Sequence, residues 1–61
     1  MIGKKILRLR KKAGLTQEAL ARKIGVGRCL VTAWELGKAN PRVEKLKSLA
    51  KALNCNINDF F

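Results

Sequence analysis

Arg28, Cys29, Thr32 and Ala33 fall at i, i+1, i+4 and i+5 of a segment with helical patterning, so one helix face carries all four while Val31 and Trp34 turn inward. Their chemistry is that of recognition. The Arg28 guanidinium is a rigid fork of donors that suits guanine O6 and N7 in bidentate fashion, and a phosphate equally well. Thr32 can bond a base or lay its methyl group on a thymine methyl; Ala33 offers an apolar contact or simply room for close approach. Cys29, a weak donor and acceptor, reads a base poorly but can pack on a thymine methyl. Bond-making chemistry has no such basis. The chain contains no histidine or tyrosine, its acids (Glu18, Glu35, Glu44, Asp59) do not pair on any expected face, and no glycine-rich phosphate loop is present. No enzyme is expected, and no cofactor. Cys29 and Cys55 lack metal-ligand spacing, so no metal is expected either, and both read as reduced thiols.

Residues 14–41, GLTQEALARKIGVGRCLVTAWELGKANP, position that face. They hold two short amphipathic patterns separated by a glycine-centred turn, which is how a helix-turn-helix is written in sequence. Such a motif projects its second helix outward, where it can enter the DNA major groove. Thr16 is expected to cap the first helix and Leu15 to staple onto Leu20 across that cap. Glu18 complements the dipole, and Ala19, Leu20 and Ile24 form the apolar stripe. Gly25 ends the helix. Gly27 is an acceptable second-choice cap for the next one, with Val26 and Val31 as its staple. That helix runs to about Leu36, where Gly37 stops it.

Gly14, Gly25, Gly37 and Asn54 each follow a helical pattern, where a left-handed residue belongs. They divide the chain into five expected helices at about 2–13, 16–24, 27–36, 42–53 and 56–60. Ile2, Ile6, Leu9 and Ala13 make the apolar face of the first; Leu46, Leu49, Ala50 and Leu53 make that of the fourth. Two starts are open for the fourth: Asn40 caps with Pro41 at the first helical position, or the helix begins after Arg42. Asn56 and Asp59 predict a variant capping box on the last, with Ile57 and Phe60 facing inward. Val, Ile and Thr nowhere alternate as a strand would, so the fold class is all-α.

Fourteen Lys and Arg against four acids give a net charge of +10 on 61 residues, an excess that favours nucleic acid over an anionic membrane as partner. The length suits one domain, residues 1–61, near the lower limit for folding alone. There is no leader-like apolar region at the N-terminus and no apolar run of membrane length, so a cytoplasmic location is expected.

The segment resembles the Cro/C1-type helix-turn-helix family of phage repressors and bacterial regulators. The resemblance rests on Gly14, Leu15, Thr16, Gln17, Leu20, Ala21, Gly25, Val26, Val31, Trp34, Glu35, Gly37 and Pro41, with Ile6, Arg10, Leu46, Leu49, Ala50 and Leu53 fitting on either side. It implies a compact five-helix, lambda-repressor-like domain that binds double-stranded DNA in a sequence-specific way, most simply as a repressor occupying promoter DNA. It implies base readout by the face holding Arg28, Cys29, Thr32 and Ala33. Backbone contacts are implied for Gln17 and Gly27 at the helix starts and for Lys38, Asn40 and Arg42 after the recognition helix; Arg42 can also reach a narrowed minor groove. Arg10 and Glu35 are implied to pair, tying the first helix to the end of the third. The chain departs from the family at Cys29 and Ala33, where polar residues are usual, and at Leu30 and Leu36, which are more apolar.

The resemblance also implies a two-fold dimer on a palindromic operator. Phe60 and Phe61 cannot both enter one small core, so Phe61 is either an exposed partner surface beside Val43 and Ile57 or a terminal aromatic covering its own core. With +10 on each copy the dimer is expected to be weak and to form chiefly on DNA. No segment is left for an effector domain, so no small-molecule ligand is expected. Two other classes compete: a cationic membrane-binding peptide in residues 1–13, where Lys4, Lys5, Arg8, Lys11 and Lys12 flank an apolar stripe, and a protein-interaction module on the same fold.

Overall fold

Thr16, in extended conformation, accepts from the Ala19 N–H at 3.0 Å through its hydroxyl, and α2 (Gln17–Ile24) starts there. Gly25 ends it at φ 74°, directing its own N–H and that of Val26 back onto the last carbonyls. The computed structural model describes residues 2–61, and the same logic divides the rest of them. α1 (Ile2–Lys12) stops before Gly14, α3 (Arg28–Leu36) stops at Gly37, and both glycines are left-handed. α4 (Val43–Ala52) gives way to Asn54, which is left-handed at φ 54°. Among the described residues there is no strand.

Two expectations need correction. The last of the five helices is a single 3-10 turn, Ile57–Phe60, so the fold is four α-helices and a turn. Four residues are too few for an α-helical ladder, and the bonds run instead over three residues, Asp59 N to Asn56 O at 2.9 Å and Phe61 N to Asn58 O at 3.1 Å. Asp59 does reach back, accepting from the Asn56 N–H at 3.1 Å. The apolar face expected of α1 meets the core through Ile6, Ile2 and Leu9 but not through Ala13, and it is joined by two residues that hydropathy does not mark. Gly3, Ile6 and Arg10 are buried, Ile2 and Leu9 are half-buried, and Ala13 is exposed beyond the helix end.

Of the two starts open for α4, the structure has the later one. Arg42 occupies the cap position in extended conformation, without a side-chain cap bond. Pro41 is buried in the preceding loop.

The core is formed by Ile6 of α1, Leu20 and Ala21 of α2, Val31 and Trp34 of α3, Leu46, Leu49 and Ala50 of α4, and Leu53 and Phe60 beyond it. Large side chains buried this fully are worth about 1.5–3 kcal/mol each, and they come from every element. α3 packs on both α1 and α2, while α4 covers α2 and the 3-10 turn. Gly3 allows α1 to cross the end of α3 closely: a β-carbon there would collide with the Trp34 carbonyl oxygen. Phe60 is buried and Phe61 is 70% exposed, the division expected of adjacent aromatics at a chain turn.

Candidate nucleic-acid interface

Glu35 sits in the last turn of α3, where a carboxylate is unfavourable to the helix dipole and nearly desolvated, with its side chain only 5% exposed. Arg10 compensates. Its Nε donates to Glu35 Oε2 at 2.6 Å and its Nη2 to Oε1 at 3.2 Å, while Nη1 donates to the Leu15 carbonyl at 2.8 Å. One guanidinium therefore joins α1, the turn before α2 and the end of α3. Planar forked geometry makes such pairs strong, and burial makes losing either partner costly.

Gln17, the first residue of α2, extends the network. Its Nε2 donates to Glu35 Oε1 at 2.9 Å, and its Oε1 accepts from Thr32 Oγ1 at 3.0 Å. Gln17 is thus a brace between α2 and α3. Thr32 Oγ1 also lies 3.1 Å from the Arg28 carbonyl one turn back. The two helices of the motif are fixed relative to each other by directional bonds as well as by Leu20, Val31 and Trp34.

The exposed side of α3 carries the residues singled out from sequence. Arg28 and Cys29 are exposed in its first turn, and Thr32 and Ala33 are half-buried one turn on. Gly27 supplies no side-chain cap, so the N–H groups of that turn have no side-chain acceptor. After α3, Lys38 N and Ala39 N both donate to the Ala33 carbonyl, at 2.9 and 3.3 Å, which fixes the path of the following loop. Lys38, Asn40 and Arg42 are exposed along that loop, and none of their side chains makes a hydrogen bond within the chain among the described residues. The resemblance implies that Gln17 braces the recognition helix, and the structure has that brace; sequence reasoning did not name Thr32 as its partner, and it missed Gly3, which sets the distance of α1 from α3. A glycine inside a basic helix is the one signal that could have marked Gly3.

The other classes of function have little to stand on. The apolar stripe that residues 1–13 would lay on a membrane is already used in the core, with Ile6 fully buried. No helix among the described residues is long and apolar enough to cross a membrane, and the described Cys, Asp and Glu do not cluster as a metal site would.

Known proteins share both the sequence and the shape. A helix-turn-helix family model matches residues 6–60. An uncharacterized HTH-type transcriptional regulator of Archaeoglobus fulgidus is 40% identical over 93% of this chain and 81% of its own length. The crystal structure of the restriction-modification controller protein C.AhdI from Aeromonas hydrophila superposes with a TM-score of 0.93 at 33% identity, covering 98% of this chain and 91% of that one. The P22 c2 repressor, crystallised in complex with a synthetic operator, superposes with a TM-score of 0.93 at 33% identity, covering 100% of this chain and 92% of that one. This chain spans 26% of the full length of the Salmonella phage P22 repressor.

Proposed function

Since the chain belongs to the Cro/C1-type helix-turn-helix family, we propose that it is a sequence-specific regulator of transcription that binds double-stranded DNA through α3, and that it acts as a repressor by occupying promoter DNA. The observation that carries this reading is the Arg10–Glu35–Gln17 network, which anchors the end of α3 and leaves its first turn exposed. A helix held in this way can be inserted into a groove without losing its orientation. Arg28 reads a base edge, with guanine as its best partner; Cys29, Thr32 and Ala33 line the rest of the reading face. Gln17 has a second amide proton to give a phosphate. The open N–H groups after Gly27, together with Lys38, Asn40 and Arg42, hold the backbone on either side.

A finer part of the proposal concerns assembly. One recognition helix reads only a few base pairs, so two copies bind half-sites about one turn apart on a palindromic operator. Phe61, Val43 and Leu36 are exposed apolar groups available to such a pairing. Repulsion between two +10 chains makes it weak away from DNA. We read residues 1–61 as a single cytoplasmic domain that works without catalysis, metal or small-molecule ligand.

The test is DNA affinity as a function of salt. With six to ten phosphate contacts, affinity falls by about 10³–10⁵ between roughly 50 and 200 mM. A flat response, or binding to anionic liposomes in preference to duplex at equal salt, rejects the proposal. Sedimentation with a palindromic duplex tests the pairing: 2:1 complexes are expected, and only 1:1 complexes at saturating protein reject the dimer.

A further inference from the structure

The polarity of the hydrogen bonds around Glu35 dictates what Thr32 can offer a ligand. A carboxylate paired with a guanidinium has acceptors only, so the Gln17 amide must turn its NH₂ group toward Glu35 Oε1, 2.9 Å away. That orientation leaves the Gln17 oxygen facing Thr32, 3.0 Å from Oγ1. Two oxygens at that distance need a proton between them, and only the hydroxyl has one. The Arg28 carbonyl, 3.1 Å from the same Oγ1, competes for that proton. A threonine hydroxyl has a single proton, so either acceptor consumes it. Turning it outward would strip Gln17 Oε1 of its only donor among the described residues, at the cost of a part-buried unsatisfied oxygen.

Thr32 therefore shows a partner one acceptor and one methyl group, and no donor. In the major groove the groups that match an acceptor are the adenine N6 and cytosine N4 amines, and the group that matches a methyl is the thymine C5-methyl. Only an A·T pair carries an amine and a methyl together. We propose that Thr32 is a specificity-determining residue for an A·T pair, accepting from adenine N6 and packing on the thymine methyl, and that Gln17 and Glu35 are positioning residues that fix this polarity from behind. The inference rests on the DNA-reading role of α3 proposed above and deepens it.

The experiment begins with selection of bound duplexes from a random library. In each A·T pair of the selected half-site, adenine is then replaced by purine, which lacks the N6 amine, or thymine by uracil, which lacks the methyl. At one pair per half-site, amine removal lowers affinity about fivefold, the worth of one ordinary hydrogen bond. Thr32→Val loses the response to amine removal at that pair and keeps the response to methyl removal. Thr32→Ser does the reverse, and thermal melting verifies that these two variants and Glu35→Gln, which keeps an amide oxygen as acceptor for Arg10, are folded under the binding conditions. Glu35→Gln frees the Gln17 amide to flip and donate to Oγ1, so preference at that one pair falls while the other pairs keep theirs. The proposal is overturned if the pair that responds to the Thr32 variants is G·C, or if amine removal is without effect at every selected A·T pair. Uniform loss across all pairs in Glu35→Gln overturns the positioning role. A library that yields no enriched sequence defeats the DNA-reading function and this inference with it, whereas enrichment without a Thr32-dependent A·T pair defeats this inference alone.

Discussion

At its last turn α3 is buried through Trp34 and held through Glu35 by bonds from two other helices; at its first turn it is exposed through Arg28, Cys29 and Leu30 and begins on a glycine that caps nothing with a side chain. The core and the ion pair supply the stability of the helix at one end, and the residues left open to solvent stand at the other. Changing the exposed residues should therefore leave the fold intact, and removing the charge partner at the buried end should lower stability most.

The largest effect expected along this divide is that of Arg10→Ala. It leaves Glu35 buried without its cation and should cost about 3–5 kcal/mol in urea unfolding. Small proteins have about 5–15 kcal/mol in total, so much of the domain would be unfolded in mild denaturant. A loss below about 1 kcal/mol, the range of exposed pairs, would show that the pair is effectively solvated. Next comes Gly3→Ala, whose new methyl group collides with the Trp34 carbonyl and must push α1 away from α3. About 1–3 kcal/mol is expected, as for other overpacked sites, and an unchanged melting temperature would mean that α1 shifts freely.

Arg28→Ala probes the other end. Stability should stay within about 0.5 kcal/mol of the parent. Affinity for the selected site should drop by about 1–3 kcal/mol while random DNA is bound nearly as before. Equal losses on both would make Arg28 a phosphate contact. The smallest effect is that of Gly27→Ser, which gives α3 a side-chain cap and should raise stability by a few tenths of a kcal/mol, about the known difference between these caps. A drop in stability would indicate that the turn depends on glycine.

The sequence was most readable where a single residue type has a single backbone consequence. Thr16 as a cap, and Gly14, Gly25, Gly37 and Asn54 as left-handed stops, could be assigned because few residues do those jobs. It was least readable where burial does not follow hydropathy. Apolar periodicity sees Ile2, Ile6, Leu9 and Ala13 on α1, but the helix turns Gly3 and Arg10 inward, one for closeness and one for charge, and leaves Ala13 outside. Similarly, Asn56 and Asp59 marked the start of a last element without revealing that it would close as a 3-10 turn. The Thr32 hydroxyl illustrates a third limit. Its partner Gln17 lies in another helix, and only the three-dimensional arrangement shows that its proton is already taken.

The two thiols have opposite chemical fates. Burial, and secondarily the negative charge of Asp59, push the Cys55 thiol pKa upward, so its reactive thiolate is scarce at neutral pH. Cys29 stands exposed at the start of α3. A maleimide dye added to the native protein should therefore attach to Cys29 first. It would give a one-site fluorescent label on the exposed face of α3 without a single engineered residue, and a large adduct there should act as a covalent plug if that face is the one that meets DNA.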